Sequence, residues 1–392
     1  GTPGAINGRF AAGSAPLISQ VEHHPAVPTS RERVTVRATI EALPNTTPQV
    51  ELHYRVSQTT PREFANVLMT PDAQGCYSAQ LPPHPHTTIV EFYVSASISE
   101  GPHRTWPASS DDLVGQAANA LYQVDDEAET SGQPYYRLVM TAEEDARFRP
   151  EAFPSGSDAQ LNVTLIASRP GETSIRYQCG LRRRGNGSRG RDPRSFKLNL
   201  PRDKPWRSAT SLNLVSQYSY LQVLGLHLFR AADLPAPEAI FVQLRLNGIN
   251  YANESNRFGV DYGSYAHIQP LSGEFIEKAF PEDPDGDLYK KVSANPSREA
   301  PRDRYFEEVS ARVSIDQWVR WFALMNLLNN IETNLSNGID DDYSIYQGIE
   351  DPRTILLPHD LDTIFGLGDT STQPNATIFQ MLDQSFGAGA AR

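Results

Sequence analysis

The stretch LRRRGNGSRGRDPRSFKLNLP, residues 181–201, decides which fold the surrounding sequence can adopt. Gly185, Gly187 and Gly190 have the spacing G-x-G-x-x-G. In a dinucleotide-binding domain, glycines with this spacing lead into a helix whose N-terminus meets the pyrophosphate. Here polar and apolar residues alternate from position 195 to 200, which is the period of a β-strand. The stretch therefore predicts two strands joined by a glycine-rich turn and argues against a dinucleotide-binding domain.

A glycine-rich turn followed by a strand with a lysine resembles the phosphate-covering loop of protein kinases. In those enzymes bare glycine backbone approaches the phosphates and the lysine pairs with them. Lys197 has the corresponding position, and the six arginines of residues 181–201 add positive charge suited to phosphate. The alternative interpretation is a flexible, basic hairpin tip without a ligand. The motif alone does not separate the two.

The overall composition excludes several classes of protein. A net charge of −12 argues against a nucleic-acid-binding protein, which would present a basic surface to the phosphate backbone. No uninterrupted apolar run is long enough to span a membrane, and the first residues lack the pattern of a signal peptide. Cys76 and Cys179 fall in segments that we assign to different domains, so we expect no disulfide between them.

The chain divides into two predicted domains. Residues 17–108 contain roughly seven short alternating segments between turn residues, which predicts an antiparallel β-sandwich of the immunoglobulin or fibronectin type. Residues 109–133 are acidic and poor in aromatic residues, which is typical of a linker. Residues 134–392 have a mixed α+β pattern.

The α+β segment contains a definite order of predicted elements. Strands are predicted at 135–141, 159–168, 174–184, 194–201, 240–248, 342–348 and 353–360, and helices at 211–232 and 314–330. The second helix opens with Ser314 as a candidate N-cap. The order is strands first, then a long helix, then a hairpin with acidic residues at its end. This order is typical of a two-lobed nucleotide-binding enzyme.

Two carboxylates follow the last predicted strand. In ILLPHDLDTIFG, residues 355–366, an extended backbone would place Asp360 and Asp362 on one side and Leu361 on the other. Two carboxylates that close repel each other unless a cation lies near them, and Mg²⁺ prefers such hard oxygen ligands. The alternative is a turn in which one aspartate caps the following segment.

A second acidic segment, residues 329–347, lies between the long helix and the final hairpin. A kinase catalytic loop occupies this place and carries a carboxylate that accepts the substrate hydroxyl proton, with an asparagine for the metal five residues later. Glu332 and Asn337 have that separation. The alternatives are a polar loop without catalytic function or a weak Ca²⁺ site at residues 340–342.

Taken in order, these stretches resemble the CotH family of spore-coat and secreted kinase-like proteins. The resemblance covers roughly residues 135–380. It rests on LRRRGNGSR, RSFKLNL, YGSYAHIQ with its G-x-Y, GDLYKK, NNIETNLSNG and PHDLDTIFG, the last of which is the most specific. It implies a multidomain protein with an N-terminal antiparallel β-sandwich and a C-terminal α+β atypical protein-kinase-like domain at residues 134–392. It also implies the use of ATP and Mg²⁺, or Mn²⁺, and phosphorylation of Ser or Thr on secreted or surface proteins.

The resemblance also assigns roles to individual residues. Nucleotide binding falls to Arg184, Gly185, Asn186, Gly187, Ser188, Arg194, Lys197 and Gln269, catalysis to Glu332 and Asn337, and metal binding to Asp360, Asp362, Asn337 and Asp342. Lys197 would hold the phosphates, with Arg194 as the alternative if the register slips. The implied location is extracellular, cell-surface or periplasmic.

Two positions depart from the family pattern. Gln269 stands where the family usually has a glutamate, and a neutral amide cannot form the usual ion pair with a strand lysine. Glu332 stands where the family usually has an aspartate, with Asn337 by spacing or Asp342 by alignment in the place of its asparagine. Two functions therefore remain open: an active kinase, and a catalytically impaired surface or adhesion module that binds a protein or glycan partner through its sandwich.

Overall fold

The structure is a computed structural model of the 392-residue chain. It describes residues 15–44, 46–58, 60, 63–98, 103–109, 118–127, 132–148, 157–185, 189, 193–206, 209–250, 252, 263–290, 305–330 and 343–368. The chain forms two compact units. The first comprises Gly1–Arg182, Asn199–Lys204 and Gln243–Asn250, and the second comprises Arg183–Leu198, Pro205–Val242 and Tyr251–Arg392.

The first unit begins with nine strands. They are β1 Leu17–His24, β2 Val34–Glu41, β3 Gln49–Val56, β4 Ala65–Leu68, β5 Thr70–Pro71, β6 Cys76–Leu81, β7 Ile89–Ser97, β8 His103–Trp106 and β9 Ala120–Gln123. One sheet has the order β1-β2-β6-β5 and the other β4-β3-β7-β8, with β9 also paired to β7. All of these pairs are antiparallel. The β-rich N-terminal segment agrees with the prediction for residues 17–108.

Alternation along the strands explains how this part of the first unit is packed. In β2 the residues at 34, 36, 38 and 40 are buried while their neighbours are more exposed. Val36, Leu52 and Phe92, from three different strands, are all fully buried in one core. Because side chains of a strand alternate between its two faces, the sequence pattern alone specifies which face enters this core.

Part of the predicted linker is a strand. Residues 120–123 form β9, all four are buried, and β9 pairs with β7 from Phe92 to Ile89. The backbone N–H of Leu121 donates to Oγ1 of Thr164 at 3.0 Å. The prediction of a linker is wrong for residues 120–123, because a four-residue strand between acidic flanks has too few residues to show an alternation.

The remaining elements extend from residue 135 to 366. They are β10 Tyr135–Val139, α1 Ala142–Phe148, β11 Leu161–Arg169, β12 Glu172–Arg183, β13 Phe196–Asn199, β14 Ser211–Val215, α2 Ser219–Ala231, β15 Ala239–Leu246, β16 Tyr265–Ile268, α3 Gly273–Ala279, β17 Asp287–Lys290, α4 Tyr305–Ser310, α5 Ile315–Leu327, β18 Tyr343–Gln347, β19 Ile355–Pro358 and a 3₁₀ helix Ile364–Gly366. The described part of the chain is thus rich in strands, with few helices.

Each unit has its own strand pairings among these elements. In the first unit, β10 is antiparallel to β11 and parallel to the C-terminal half of β15, and β11 is antiparallel to β12. In the second unit, β16 lies between β14 and the N-terminal half of β15, antiparallel to both. A separate antiparallel sheet of the second unit has the order β17-β18-β19.

Most predicted elements of this region are confirmed. The long helix is α5, with Ser314 at its N-cap, and the final hairpin is β18–β19. The single helix predicted at 211–232 is wrong in its first third, which forms β14. In β14, Leu212 and Leu214 are fully buried and the strand pairs with β16, so sheet pairing overrides the helical pattern there.

Two further expectations concern the cysteines and the membrane. Cys76 and Cys179 are both free, and burial raises the pKa of the Cys179 thiol to about 12. Across the described ranges, no helix combines the length and the apolar character needed to cross a membrane.

Candidate functional site

The glycine-rich turn begins at the end of β12 with a main-chain hydrogen bond. The N–H of Arg184 donates to the carbonyl of Ser195 at 2.8 Å, which joins the two arms of the predicted hairpin. Gly185 follows with φ of +109°, in the region that favours glycine. Nε of Arg189 donates to the carbonyl of Gly185 at 2.9 Å. Asn186, Gly187 and Ser188 lie outside the described residues, so their nucleotide-binding role stays a prediction.

The lysine strand β13 is fixed by the Tyr265 of the G-x-Y segment. Phe196 and Leu198 are buried, while Lys197 between them is half-buried on the opposite face of the strand. The Tyr265 hydroxyl donates to the carbonyl of Arg194 at 3.0 Å, and its ring stacks on Phe196 at 6.0 Å between centroids. Two stretches of the CotH resemblance, RSFKLNL and YGSYAHIQ, are therefore in direct contact.

A stripe of polar residues, which begins at Ser216 just before α2 and continues into its first turn, contacts the backbone of these same stretches. Oγ of Ser216 donates to the carbonyl of Pro193 at 2.6 Å, and its N–H donates to Oγ of Ser195 at 3.1 Å. Oγ of Ser219, the first residue of α2, donates to the carbonyl of Ser264 at 3.2 Å. Both serines are fully buried, so these hydrogen bonds satisfy groups that have no access to water.

The next residue of this stripe, Gln222, contacts the acidic motif PHDLDTIFG. Nε2 of Gln222 donates to Oδ1 of Asp360 at 2.8 Å, and its Oε1 accepts from the N–H of Leu361 at 3.1 Å. Leu361 is fully buried and packs directly over Gly225 of α2. The segment from Ser216 to Gly225 therefore contacts three separate motifs at intervals of three residues.

The acidic motif is a turn, so the prediction of an extended backbone there was wrong. Asp360 has φ of +52°, in the left-handed region, and is exposed. Asp362 lies in the turn that leads to the 3₁₀ helix. Strand β19 ends at Pro358 because the backbone reverses at once to meet α2. Leu361 is nevertheless buried, while Asp360 is exposed.

The end of α5 holds the same turn from a second direction. Oγ1 of Thr363 donates to Oδ1 of Asn330 at 3.2 Å, and both residues are fully buried. The N–H of Phe365 donates to the carbonyl of Leu328. The turn is therefore held on α2 at its beginning and on the C-terminal end of α5 at its end, which leaves little freedom for the two aspartates.

Gln269 is engaged at the end of β16. Its N–H donates to the carbonyl of Glu238 at 2.8 Å, and its Oε1 accepts from the N–H of Glu238 at 3.3 Å. The Glu238 carboxylate in turn pairs with Lys278. The amide thus serves a main-chain contact, and its nucleotide-binding role stays a prediction.

Lys290 of the GDLYKK stretch was not singled out from the sequence. Its Nζ donates to the carbonyl of Leu271. Burial lowers the pKa of Lys290, and the positive charge of Arg184 lowers it further. Arg184 belongs to the glycine-rich hairpin, so the hairpin is close enough to Lys290 for their charges to interact. Lys290 also pairs across the sheet with Ser344, whose hydroxyl lies 3.3 Å from Nδ1 of His359.

The catalytic loop expected at residues 329–347 is not described beyond Asn330 until Tyr343. Glu332, Asn337 and Asp342 lie outside the described residues, so their roles stay predictions. Among the residues that the structure does describe, no three His, Cys, Asp or Glu side chains meet as a metal site. Asp360 and Asp362 offer two hard oxygen donors, the number that Mg²⁺ commonly takes from protein beside substrate phosphates.

Besides Lys290, sequence reasoning missed Ser216, Ser219 and Gln222. A partial signal was present, since Ser219 and Gln222 are three residues apart in α2, and a helix brings such residues onto neighbouring parts of one face. Ser216 precedes α2, so no helical period identifies it.

A cavity of about 1080 Å³ lies elsewhere, in the first unit. It is lined by residues of β1 and β2, by 125–127, by residues between 168 and 177, and by Lys204. Its described lining contains none of the residues predicted to bind nucleotide or metal.

Comparison with protein families relates part of the chain to a known family. Residues 181–304 match the family model described as CotH kinase protein. The match includes the glycine-rich hairpin, β13, the G-x-Y segment and GDLYKK, and it confirms the resemblance expected from those stretches. No curated protein matches the chain.

Proposed function

We propose that this chain, which carries a CotH kinase-type segment at residues 181–304, is an atypical kinase that transfers the γ-phosphate of ATP to Ser or Thr hydroxyls of an exported protein. One observation carries the proposal. The stripe from Ser216 to Gln222, which comprises the residues just before α2 and its first turn, contacts the backbone beside Lys197, the G-x-Y segment and Asp360, so one short segment contacts the motifs that such an enzyme needs. We propose an extracellular, cell-surface or periplasmic location on the same resemblance.

The nucleotide phosphates would be bound by the hairpin and by Lys197. Gly185 lacks a Cβ and has positive φ, so its backbone can approach a phosphate closely. Lys197 is half-buried, and its position between two buried residues fixes the base of its side chain. Arg184 and Lys290 add positive charge next to this hairpin. These groups would orient the triphosphate and compensate its charge.

Asp360 and Asp362 would hold Mg²⁺ or Mn²⁺, because both offer hard carboxylate oxygens on a turn that two helices fix. The cation would neutralise charge on the phosphate oxygens. Asn337 and Asp342 are the further proposed ligands. The residues of α2 and α5 would act by keeping the two carboxylates in place.

Glu332 would orient the acceptor hydroxyl and accept its proton, with Asn337 beside it. The acceptor oxygen forms a bond to the γ-phosphorus while the bond from that phosphorus to the β–γ bridging oxygen breaks, and ADP leaves. Because little covalent chemistry is required of the protein, positioning and electrostatic stabilisation supply most of the rate enhancement.

A second candidate function is a catalytically impaired surface or adhesion module that binds a protein or a glycan. Two observations favour it. Gln269 cannot form the ion pair that a glutamate would, and its amide contacts the main chain of Glu238. The cavity of the first unit offers exposed charged side chains at Glu22, Arg37 and Lys204, which suit a polar partner.

Calorimetric titration of the full chain with ATP, in the presence and absence of Mg²⁺ or Mn²⁺, tests the proposal. Saturable binding that depends on the metal supports the kinase, and Lys197→Met should then weaken it. Phosphate transfer to the protein itself or to added acceptor proteins is measured by mass spectrometry. The absence of ATP binding by a chain whose thermal unfolding is cooperative would favour the binding module.

A further inference from the structure

The nitrogen and the oxygen of the Gln222 amide both form hydrogen bonds with the turn of the acidic motif. Its nitrogen bonds the side chain of Asp360, and its oxygen bonds the main chain of the next residue, Leu361. Gln222 is 1% exposed, so its amide has no water to bond in place of these two partners. One side chain therefore fixes both the carboxylate orientation of Asp360 and the backbone that follows it.

Asp360 needs such support because of its backbone conformation. A φ of +52° is unfavourable for a residue with a side chain and persists where surrounding contacts enforce it. The turn also lies directly on α2, since a Cβ at Gly225 would come within 2.7 Å of Cδ1 of Leu361. The position of the carboxylate is thus set by the helix that carries Gln222.

A neutral amide suits a carboxylate that must stay available to a cation. A lysine or arginine at position 222 would neutralise Asp360, and a glutamate would repel it. Gln222 donates one hydrogen bond to Oδ1 and adds no charge. The hydrogen bond from Gln222 uses Oδ1 of Asp360, and the residue is exposed, so its carboxylate is accessible to a cation.

We infer that Gln222 is a positioning residue, which holds Asp360 for metal-dependent nucleotide binding without touching the nucleotide. This inference rests on the proposed function and adds to it a residue of α2 that lies outside the acidic motif. Residues that orient metal ligands from behind typically change metal affinity or activity by about 10- to 100-fold when they are replaced.

The chain offers a matched control in Gln317 of α5. Its Nε2 donates to the carbonyl of Leu356 at 2.8 Å, and its Oε1 accepts from the N–H of the same residue at 3.0 Å. Gln317 thus makes the same two-bond amide contact with strand β19, a few residues before the turn. It differs from Gln222 in contacting main chain at both ends and no carboxylate.

The test compares Gln222→Met and Gln317→Met in the full chain. Methionine keeps the length of the side chain and removes both hydrogen bonds. We expect Gln222→Met to weaken the binding of ATP in the presence of Mg²⁺ about 10- to 100-fold, with ATP binding in the absence of metal unchanged. We expect Gln317→Met to lower the melting temperature by about as much as Gln222→Met does. We expect it to leave the affinity for ATP unchanged, both with and without Mg²⁺. If Gln222→Met does not fold, Gln222→Asn, which keeps an amide but is too short for both bonds, takes its place.

The outcomes separate this inference from the proposed function. The inference is overturned if Mg²⁺ strengthens ATP binding by the unsubstituted chain and strengthens it to the same extent in the variants at 222 and 317. The kinase proposal stands in that case. If Mg²⁺ has no effect on ATP binding by the unsubstituted chain, the metal site fails, and the role of Gln222 fails with it. A selective loss in the variants at 222 confirms the role.

Discussion

The Tyr177 hydroxyl donates a hydrogen bond to Nδ1 of His23 across 2.5 Å, within the core of the first unit. The main-chain N–H of His23 donates to the same hydroxyl oxygen at 3.0 Å, and Nε2 lies 3.0 Å from the carbonyl of Ala26. Since a carbonyl only accepts, Nε2 carries the proton and Nδ1 is the acceptor. The folded state therefore contains a neutral, fully buried imidazole between β1 and β12.

Stability of the first unit should fall as the pH is lowered from about 6.5 to about 4. Burial lowers the pKa of His23 from 6.5 to about 4, so the unfolded chain binds a proton in this window that the folded chain does not. The loss of unfolding free energy is complete below the pKa that His23 has in the folded chain, and it amounts to roughly 3 kcal/mol. Urea unfolding between pH 4 and 7 measures it.

His23→Gln provides the control for this prediction. A glutamine can donate to the Ala26 carbonyl and accept from Tyr177 but does not titrate, so its unfolding free energy should depend less on pH over the same window. Carboxylates contribute to the pH dependence of both proteins equally. Identical pH dependence in the two proteins would contradict the assignment of the effect to His23.

Asp360→Asn and Asp362→Asn should each abolish the effect of Mg²⁺ on nucleotide binding and leave the fold intact. An asparagine at position 360 keeps an oxygen that accepts from Gln222, so the turn retains its contact with α2. Calorimetry measures the binding and thermal unfolding measures the fold. Asp316→Asn, at an exposed carboxylate on α5, serves as the control. Unchanged Mg²⁺-dependent binding in both variants would remove the metal-site assignment.

Gly225→Ala should destabilise the second unit although alanine is the better helix former. The new Cβ would lie 2.7 Å from Cδ1 and 3.1 Å from Cβ of Leu361, which is fully buried and has no room to move. Overpacking costs about 1–3 kcal/mol, which exceeds the roughly 1 kcal/mol gained from helix propensity. Chemical denaturation should show the net loss.

Gly273→Ala is the matched control for Gly225→Ala. Gly273 also lies in a helix, but a Cβ there would meet nothing within 4 Å. We expect no loss of stability in this variant. Equal stability of the two alanine variants would show that the contact between α2 and Leu361 is not close-packed.

Asp283→Asn should loosen the connection between β18 and β19. The Asp283 carboxylate accepts from the N–H groups of Ile349, Glu350 and Asp351, each at 3.0 Å. These hydrogen bonds, with that from Asp351 the largest contributor, hold the pKa of Asp283 below its ordinary value. Faster amide hydrogen exchange at positions 349–351 in the variant is the expected result, with Glu282→Gln as the control.

The contact of Asp283 with residues 349–351 should also weaken as the pH falls, as the contact of His23 does. Here the cause is loss of a negative charge on a carboxylate, whereas at His23 it is gain of a positive charge on an imidazole. A carboxylate with a lowered pKa contributes stability above its ordinary pKa and loses it as the pH falls through the folded value. Exchange at 349–351 in the unsubstituted chain should therefore accelerate, after correction for the intrinsic rate, only in strongly acidic solution. Acceleration near pH 6 would contradict the role of Asp283.

Much of the secondary structure was predictable because it depends on local periodicity. The strands of 135–141, 159–168 and 240–248 and the helix at 314–330 all follow patterns that neighbouring residues create. The CotH resemblance likewise rests on short contiguous stretches, and the match at residues 181–304 confirms it there. The predictions failed at β9 and β14, where pairing with a distant strand outweighs a weak local pattern.

The sequence by itself determined which groups are available for chemistry: glycines in a basic hairpin, a lysine on the next strand and two aspartates after the last strand. Tertiary structure alone decided how the aspartates are presented. Gln222 and Asp360 are 138 residues apart, and no periodicity specifies that one bonds the other. A buried polar group must find a partner wherever packing places one, and that choice depends on the whole core rather than on its neighbours in the chain.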